Sequence, residues 1–322
     1  MPLSRGRHRP KAQKRHHQYS RVHPASEQTT LEALFDKANR GGTGIKGPRI
    51  LYHYTSWEAA ESILRSQRFR ASAHDSTNDA AEFAAADSTI LEAARRTRGT
   101  AHGVVTRRVL DLFLNVYADA RIGASRRAYL VCFSTTRDDP NQWCRYASRG
   151  AGVCLGLRLF GIPDPRIQGV ATAFFPVDYR ESHLREKIDE WLGEFVDVCD
   201  RAEDIEHNWR LSIDALNLTA ATWSLTTKHA EWAPEAEVRA IFLAREGQRI
   251  SPVEEPRGDG SIKRYVAMPL TRLRRMPIEE FIIGPNQDAS EGRQRALHVL
   301  EAVGYPHPDR KVAVSAASLA CD

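Results

Sequence analysis

The sequence has no long apolar run, no closely spaced cysteines and no residue spacing typical of a metal site. No apolar stretch approaches the roughly 20 residues of a membrane-spanning helix, so contact with a membrane is not expected. The five cysteines are odd in number and contain no C-x-x-C pair. We therefore expect buried thiols in a reducing cytoplasm rather than a disulfide framework or a zinc ribbon. No metal is expected, and the basic N-terminus lacks the apolar segment of a secretory signal.

Acidic residues are absent from residues 1–26, which carry seven arginine and lysine residues. These charges exceed the net charge of +5, so the rest of the chain is near neutral and the basic character belongs to this tail. The tail has no apolar periodicity and is predicted to be disordered. It could contact nucleic acid, or it could simply improve solubility. Residues 27–48 predict a short helix over 27–40 and a glycine-rich loop.

Apolar patterns over the rest of the chain predict one α+β domain at 49–316 and a short tail at 317–322. Strands are predicted at 50–54, 128–134, 152–158, 171–179, 236–244, 263–269, 279–283 and 311–315. Helices are predicted at 57–67, 139–147 and 287–303, longer helical regions are predicted at 79–119 and 182–222, and 69–77 is predicted to be irregular. Strands 236–244 and 263–269 are expected to pair as a hairpin, because turn-forming residues fill the loop between them.

His53 lies inside the short apolar strand LYHYTS, directly before a predicted helix. Thr55 and Glu58 fit a capping box at the start of that helix. The apolar face of the helix is predicted to comprise Trp57, Ala60, Ile63 and Leu64. Because free backbone N–H groups at a helix N-terminus attract phosphate, His53 is a candidate ligand residue. A histidine packed into the core would give the same pattern.

A second segment of interest is AYLVCFSTTRDDPNQWCRYASRGAGVCLGL. Its short predicted helix carries Trp143 and Tyr146 three residues apart, on one face. Two aromatic rings on one face are typical of core packing, and they can also form a wall for a flat ligand ring.

A third segment places Glu235, Glu237 and Arg239 at alternate positions where a strand begins, so we expect them on one face. Lys228 lies just upstream. Paired carboxylates beside a cation suit the stabilisation of a cationic transition state. A solvated charged edge would show the same stripe.

Across residues 49–316 the chain resembles a mainly bacterial family known as domain of unknown function 2971. The matching motifs are LYHYTS, STNDAAEF, CFSTTRDDPNQWCRYASRGAGVCLGL, KHAEWAPEAEVRAI and EEFIIGP. In STNDAAEF, Ala80 stands where the family has a proline. The family name implies no activity, and the basic tail lies outside the resemblance.

More distantly, the order of His53, Tyr146 and Glu237 resembles the His-Tyr-Glu type of the ADP-ribosyltransferase superfamily. LYHYTS is similar to the superfamily's Tyr/Trp-His-Gly-Ser/Thr motif, with Tyr54 in place of the glycine. The resemblance implies a split β-sheet core with helical insertions. It also implies transfer of ADP-ribose from NAD to an unknown acceptor, either a protein or a nucleic acid, or hydrolysis of NAD. Bacterial members often act as toxins or in phage defence.

The resemblance also implies roles for the candidate residues. Glu237, or Glu235 beside it, would face the cationic ribose that forms when the nicotinamide–ribose bond breaks. His53 would bind a ribose hydroxyl, and Tyr146 would stack on the nicotinamide ring. The other residues of the expected NAD site are Tyr54, Thr55, Ser134, Trp143, Lys228 and Arg239. Of these, the aromatic residues would assist stacking, and either Lys228 or Arg239 could meet phosphate or equally pair with Glu235.

Two other interpretations stay open. A non-catalytic module that binds nucleotide or nucleic acid could keep the same fold. A relative of the enzymes that remove a 2′-phosphate from tRNA could use the basic tail, although Glu237 argues against this reaction. An enzyme requires His53, Tyr146 and Glu237 to meet in one cleft. A structural protein predicts them scattered, with Tyr146 buried and Glu237 solvated.

Overall fold

The computed structural model describes residues 49–77, 80–125, 128–159, 171–201, 205–243, 252–258, 260–269 and 275–321. The predicted disordered tail at 1–26 and the predicted helix and loop at 27–48 lie outside these residues. Asn78 and Asp79 of the STNDAAEF motif also lie outside them.

The described residues combine helices with one ten-stranded, mostly antiparallel sheet, which confirms the α+β class. The strands are β1 (Arg49–Thr55), β2 (Phe69–Ala73), β3 (Ala128–Ser134), β4 (Val153–Leu159), β5 (Ala171–Pro176), β6 (Glu237–Leu243), β7 (Val253–Pro256), β8 (Ile262–Met268), β9 (Ile278–Ile283) and β10 (Val312–Val314). The helices are α1 (Trp57–Ser66), α2 (Ala80–Thr100), α3 (Val104–Ser125), α4 (Pro140–Tyr146), α5 (Glu181–Arg201), α6 (Ile205–Thr226) and α7 (Ala289–Ala302). None of these described helices is long and apolar enough to span a membrane.

Two strands, β1 and β2, pair with the same edge of β3 at different positions. The strand order is β10-β9-β4-β1-β3-β2-β8-β7, and β6 lies between β3 and β5. On one edge, β3 pairs with β6 along its whole length. On the other edge, β1 meets β3 where Tyr52 lies opposite Ser134, and β2 meets β3 where Ser72 lies opposite Leu130. Among the described strands, none pairs on this edge with the stretch of β3 between these two contacts, so a gap separates β1 from β2.

Two large hydrophobic cores and two smaller ones lie among the described residues. One large core lies between the sheet and the helices α1 and α7, and the predicted apolar face of α1 is buried there as expected. The other large core lies within a helical layer of α2, α3, α5 and α6, around Phe113, Trp191 and Phe195. Leu225 packs with residues of β3 and β6, which brings the end of α6 close to the sheet. Lys228, two residues after the end of α6, therefore lies beside the sheet.

Three predictions of secondary structure are wrong. Residues 69–73 form β2 rather than an irregular segment. The expected hairpin of residues 236–244 and 263–269 does not form, because β6 pairs with β3 and β5 whereas β8 pairs with β2 and β7. The turn-rich stretch between β6 and β8, predicted as a loop, contains β7. The predicted helical regions 79–119 and 182–222 are confirmed and each hold two helices. The other predicted strands and helices within the described residues are confirmed to within a few residues.

Helix α1 begins one residue later than the capping box predicts. Ser56 is the N-cap residue, and its hydroxyl accepts a hydrogen bond from the Ala59 N–H at 3.3 Å. Thr55 is instead the last residue of β1, where it lies opposite Val153 of β4. The strand thus runs directly into the helix, as expected, with the cap shifted by one position.

The cysteines differ from the expectation of five buried thiols. Cys144 of α4 and Cys321 form a disulfide. Cys154 and Cys199 are buried thiols, whereas the Cys132 thiol is exposed. The two bonded cysteines are 177 residues apart, so the fold alone brings them together and no local spacing could indicate the bond. We expected a reducing cytoplasm because all five cysteines were predicted to be thiols. The disulfide removes that argument.

The segment at 317–321, predicted as a tail, is held against the domain. The Ala317 N–H donates to the Ser315 hydroxyl at 3.1 Å, and Leu319 packs on a small core with Tyr54 and Trp143. With the disulfide, these contacts fasten the end of the chain to α4, the helix that carries Tyr146.

Candidate functional site

A pocket of about 250 Å³ lies at the gap between β1 and β2. Its walls come from β1, β2, β3, α4, β6 and the β7–β8 hairpin, so distant parts of the sequence meet there. Eight of the ten predicted site residues line it, namely His53, Tyr54, Ser134, Tyr146, Lys228, Glu235, Glu237 and Arg239. This is the clustering that the resemblance to the His-Tyr-Glu type requires.

Two predicted site residues, Thr55 and Trp143, lie elsewhere. Thr55 is paired within the sheet. Trp143 is fully buried, and its indole N–H donates to Asp138 at 2.8 Å. It leaves no surface for a ligand, so its predicted stacking role is corrected to a supporting one. Its ring meets Tyr54 edge-on with centroids 5.0 Å apart, behind the pocket wall.

His53 lies at the gap in the sheet and is half-buried. Its Nδ1 is 2.9 Å from the carbonyl oxygen of Cys132 on β3. A carbonyl oxygen can only accept, so Nδ1 carries the proton and Nε2 can accept. Burial lowers the pKa of His53, against an opposing effect of the Cys132 carbonyl, so the ring is neutral at pH 7. The histidine of LYHYTS thus satisfies a β3 carbonyl where strand pairing stops, and it keeps a hydrogen-bond acceptor.

Glu237 is held by a fully buried arginine. Arg239 donates from Nε and Nη2 to the two Glu237 carboxylate oxygens at 2.8 and 3.0 Å, a bidentate pair. Its Nη1 donates to the Leu225 carbonyl at 2.8 Å. Burial alone would raise the pKa of Glu237, but Arg239, together with Lys228 and the Cys132 thiol, lowers it to about 2. Glu237 is therefore ionised at neutral pH.

Glu235 forms a second buried ion pair beside the first. The Nζ of Lys228 is 2.7 Å from one Glu235 oxygen and 3.5 Å from a Glu237 oxygen, so this cation links the two carboxylates. The Tyr146 hydroxyl donates to the other Glu235 oxygen. Tyr146 is nevertheless 44% exposed, so its ring is accessible while its hydroxyl is fixed.

A left-handed backbone residue places the two glutamates side by side. Glu235 ends a 3₁₀ turn, Ala236 has a φ of 44°, and Glu237 begins β6. The prediction that the two glutamates share one face of a strand is therefore wrong. The turn at Ala236 nevertheless directs both side chains to the same pocket. The Ser134 hydroxyl and the Gln142 amide donate to the Glu235 carbonyl at 2.8 and 3.2 Å, which fixes this turn.

The cations that could meet phosphate differ from those predicted. Lys228 and Arg239 are buried and paired with glutamates, so they are poorly placed for a second anion. Arg257 and Lys263 of the β7–β8 hairpin also line the pocket. Sequence reasoning missed them because they flank a loop rich in turn formers, where charged residues are commonly solvated.

Among the described residues, no group of three or more His, Cys, Asp and Glu side chains could hold a metal ion. The two pocket carboxylates each have a cationic partner, and these cations would repel a metal ion. The arrangement instead offers fixed hydrogen-bond acceptors, an accessible aromatic ring and two further cations.

Comparisons with protein-family models, with curated proteins and with solved structures found no match to this chain. The resemblances to domain of unknown function 2971 and to the ADP-ribosyltransferase superfamily therefore stay predictions. Arguments about function depend on the geometry of the site.

Proposed function

We propose that this pocket binds NAD and breaks the bond between its nicotinamide and ribose, as an ADP-ribosyltransferase or an NAD glycohydrolase. The observation that carries the proposal is the meeting of His53, Tyr146 and Glu237, from three distant segments, in one pocket. The structural alternative predicts these residues scattered, with Tyr146 buried and Glu237 solvated. Tyr146 is instead 44% exposed, and it shares the pocket with Glu237, which is 6% exposed.

The gap in the sheet also supports the proposal, because a split sheet is what the resemblance implies. One part of the sheet consists of β1, β4, β9 and β10. The other part consists of β3 together with β2, β5, β6, β7 and β8. The two parts join where Tyr52 lies opposite Ser134. The pocket lies where they diverge.

The residue types suit cleavage of a glycosidic bond. When the bond from ribose C1′ to the ring nitrogen breaks, the electron pair leaves with neutral nicotinamide and the ribose becomes oxocarbenium-like. Ionised Glu237 would stabilise this cation and accept from a ribose hydroxyl. His53 would hold a second hydroxyl through Nε2, and the Tyr146 ring would stack on nicotinamide. A water or an acceptor hydroxyl would then attack C1′ and release its proton.

The volume of the pocket limits what it can enclose. At about 250 Å³ it lies just below the roughly 300 to 1,000 Å³ of common ligand sites. It would enclose one end of a dinucleotide, and the remainder of NAD would lie along the opening between β1 and β2.

One observation favours a second candidate, a nucleotide-binding module without catalysis. Arg239 engages both oxygens of Glu237, and Lys228 engages Glu235. These cations offset the negative charge that would face an oxocarbenium ion, so a pocket that only binds nucleotide is the alternative to test.

Nicotinamide release from NAD by the full chain, followed by chromatography, tests the proposal. The wild type is expected to release nicotinamide. Glu237→Gln is expected to slow release by at least about a hundredfold, because the amide keeps the shape but loses the charge. Glu301→Gln, which alters an exposed carboxylate on α7, is the matched control and is expected to keep the wild-type rate.

Thermal unfolding of each variant must accompany this assay, because Glu237→Gln leaves Arg239 without its carboxylate. Loss of release in a folded Glu237→Gln protein supports catalysis. An unchanged rate contradicts the role of Glu237. Binding of NAD by the wild type without release supports the non-catalytic module, and failure to bind NAD at all contradicts both candidates.

A further inference from the structure

The pocket has two ends of opposite character. Glu235 and Glu237 form the glutamate end, on the β6 side of β3. Arg257 and Lys263 form the cation end, on the β7–β8 hairpin. In the sheet order, β8 is three strand spacings from β6, which is about 14 Å at the usual spacing between strands. Long side chains that reach inward from both ends would leave room for a ligand of several atoms between them.

Among the described residues, the cation end has more positive than negative charge. Glu255 is paired with Arg70 at 3.1 Å. Arg257 uses one N–H group to bind the Ser76 carbonyl, and a guanidinium has five such donors. Lys263 has no ion pair within the described part of the chain. Burial, and then the proximity of Arg257, lower the pKa of Lys263, while Glu255, its register partner on β7, has the opposing effect.

A hydroxyl group accompanies these cations. Ser72 of β2, a strand that pairs with β8, lines the pocket, whereas the Thr77 hydroxyl already donates to the His74 carbonyl at 2.7 Å. Half-buried cations together with hydroxyl donors are the groups that bind phosphate oxygens, because each can donate to them. The glutamate end, with its carboxylates, would repel the same phosphate.

We propose that the cation end is a phosphate subsite that holds the 5′-phosphate of the nicotinamide half of a nucleotide. This inference rests on the proposed function and deepens it. A nicotinamide nucleotide carries a cationic ring on its ribose and an anionic phosphate a few bonds away. Its ring and C1′ match the glutamate end, and its phosphate matches Arg257 and Lys263. The substrate unit that the pocket recognises is then a mononucleotide rather than a nucleoside.

Calorimetric titration of the full chain with two probes tests this subsite. Nicotinamide mononucleotide and nicotinamide riboside differ only in the phosphate. The wild type is expected to bind the mononucleotide roughly tenfold to a hundredfold more tightly, the range for charge-assisted hydrogen bonds. Lys263→Gln and Arg257→Gln should each lose most of this preference and leave affinity for the riboside unchanged. Arg108→Gln, on the exposed face of α3, is the control and should change neither affinity.

The outcomes separate this inference from the proposed function. If the riboside binds as tightly as the mononucleotide, or if both hairpin variants keep the preference, the subsite is overturned while nicotinamide binding stands. If neither nicotinamide compound binds but inorganic pyrophosphate binds to the wild type and not to Lys263→Gln, the subsite stands and the proposed function fails. If none of the three probes binds, both are overturned. Thermal unfolding of the two hairpin variants checks that each is folded.

Discussion

The glutamate end and the cation end of the pocket treat charge in opposite ways. At the glutamate end, the carboxylates of Glu235 and Glu237 each have a cation at 2.7 or 2.8 Å, and all four charged side chains are buried. At the cation end, Arg257 and Lys263 are half-buried, and the carboxylate of Glu255 is already paired with a different arginine.

Under the proposed function, the two ends of the pocket have separate roles, the glutamate end in folding and the cation end in ligand binding. A buried ion pair becomes costly when one partner is removed, so the glutamate end is part of the folded framework. Partly exposed charges contribute little to stability, so folding does not explain the position of the hairpin cations. A ligand with a phosphate group would explain it. Under the proposed function, the pocket would combine a glutamate end fixed by ion pairs with a cation end that a ligand phosphate completes.

The largest expected effect is on stability. Arg239→Met should lower the free energy of unfolding by about 3 to 5 kcal/mol, because it leaves the buried Glu237 carboxylate without its main partner. Lys263→Gln, the matched change at the cation end, should alter it by no more than about 0.5 kcal/mol. Denaturant unfolding of both variants checks this contrast. Equal losses of stability would remove the distinction between the two ends.

Acid sensitivity should follow the same division. The pKa of Glu237 is lowered to about 2, below its value of about 4.3 in an unfolded chain. The unfolded state therefore binds a proton first as pH falls, and the stability from this carboxylate is lost between about pH 4.3 and 2. Unfolding measured across this window should depend less on pH in Arg239→Met than in the wild type, and Lys263→Gln should retain the wild-type slope.

A smaller effect is expected at His53, which lies where β1 and β3 part. Asparagine can replace the Nδ1 donor to the Cys132 carbonyl but not the Nε2 acceptor. His53→Asn should therefore unfold at the wild-type temperature, within a degree or two, and bind NAD about tenfold more weakly, the cost of one hydrogen bond. Calorimetry and a thermal scan of the same samples measure both quantities. An unchanged affinity for NAD would indicate that His53 only packs within the fold and does not bind the ligand.

Local patterns predicted much of this molecule because the relevant interactions are local. The apolar face of α1 follows from helical spacing, and most strands follow from short apolar runs. The strand β2, with the sequence FRASA, was not predicted although Arg70 and Ser72 alternate with its apolar residues, because five residues are a short pattern. Its identity as a strand depends on pairing with β3 and β8, which are far away in sequence.

The site shows the same limit. Motif resemblance placed eight residues in the pocket, but it could not show that Lys228 and Arg239 are committed to the glutamates. That commitment depends on the left-handed turn at Ala236 and on the contact of α6 with the sheet. Arg257 and Lys263 reach the pocket because β8 pairs with β2 rather than with β6. Long-range strand pairing of this kind leaves no local pattern.

The central claim, that NAD occupies this pocket, is tested most directly by alkylation of Cys132. Its thiol is exposed and lines the pocket, whereas Cys154 and Cys199 are buried and the other two cysteines are bonded to each other. The rate of its modification by iodoacetamide, without reductant, can be followed by peptide mass spectrometry at increasing NAD concentration. We predict that NAD slows alkylation of Cys132 several-fold and saturably, while Cys154 and Cys199 stay unmodified. A rate that is the same at every NAD concentration would contradict the claim.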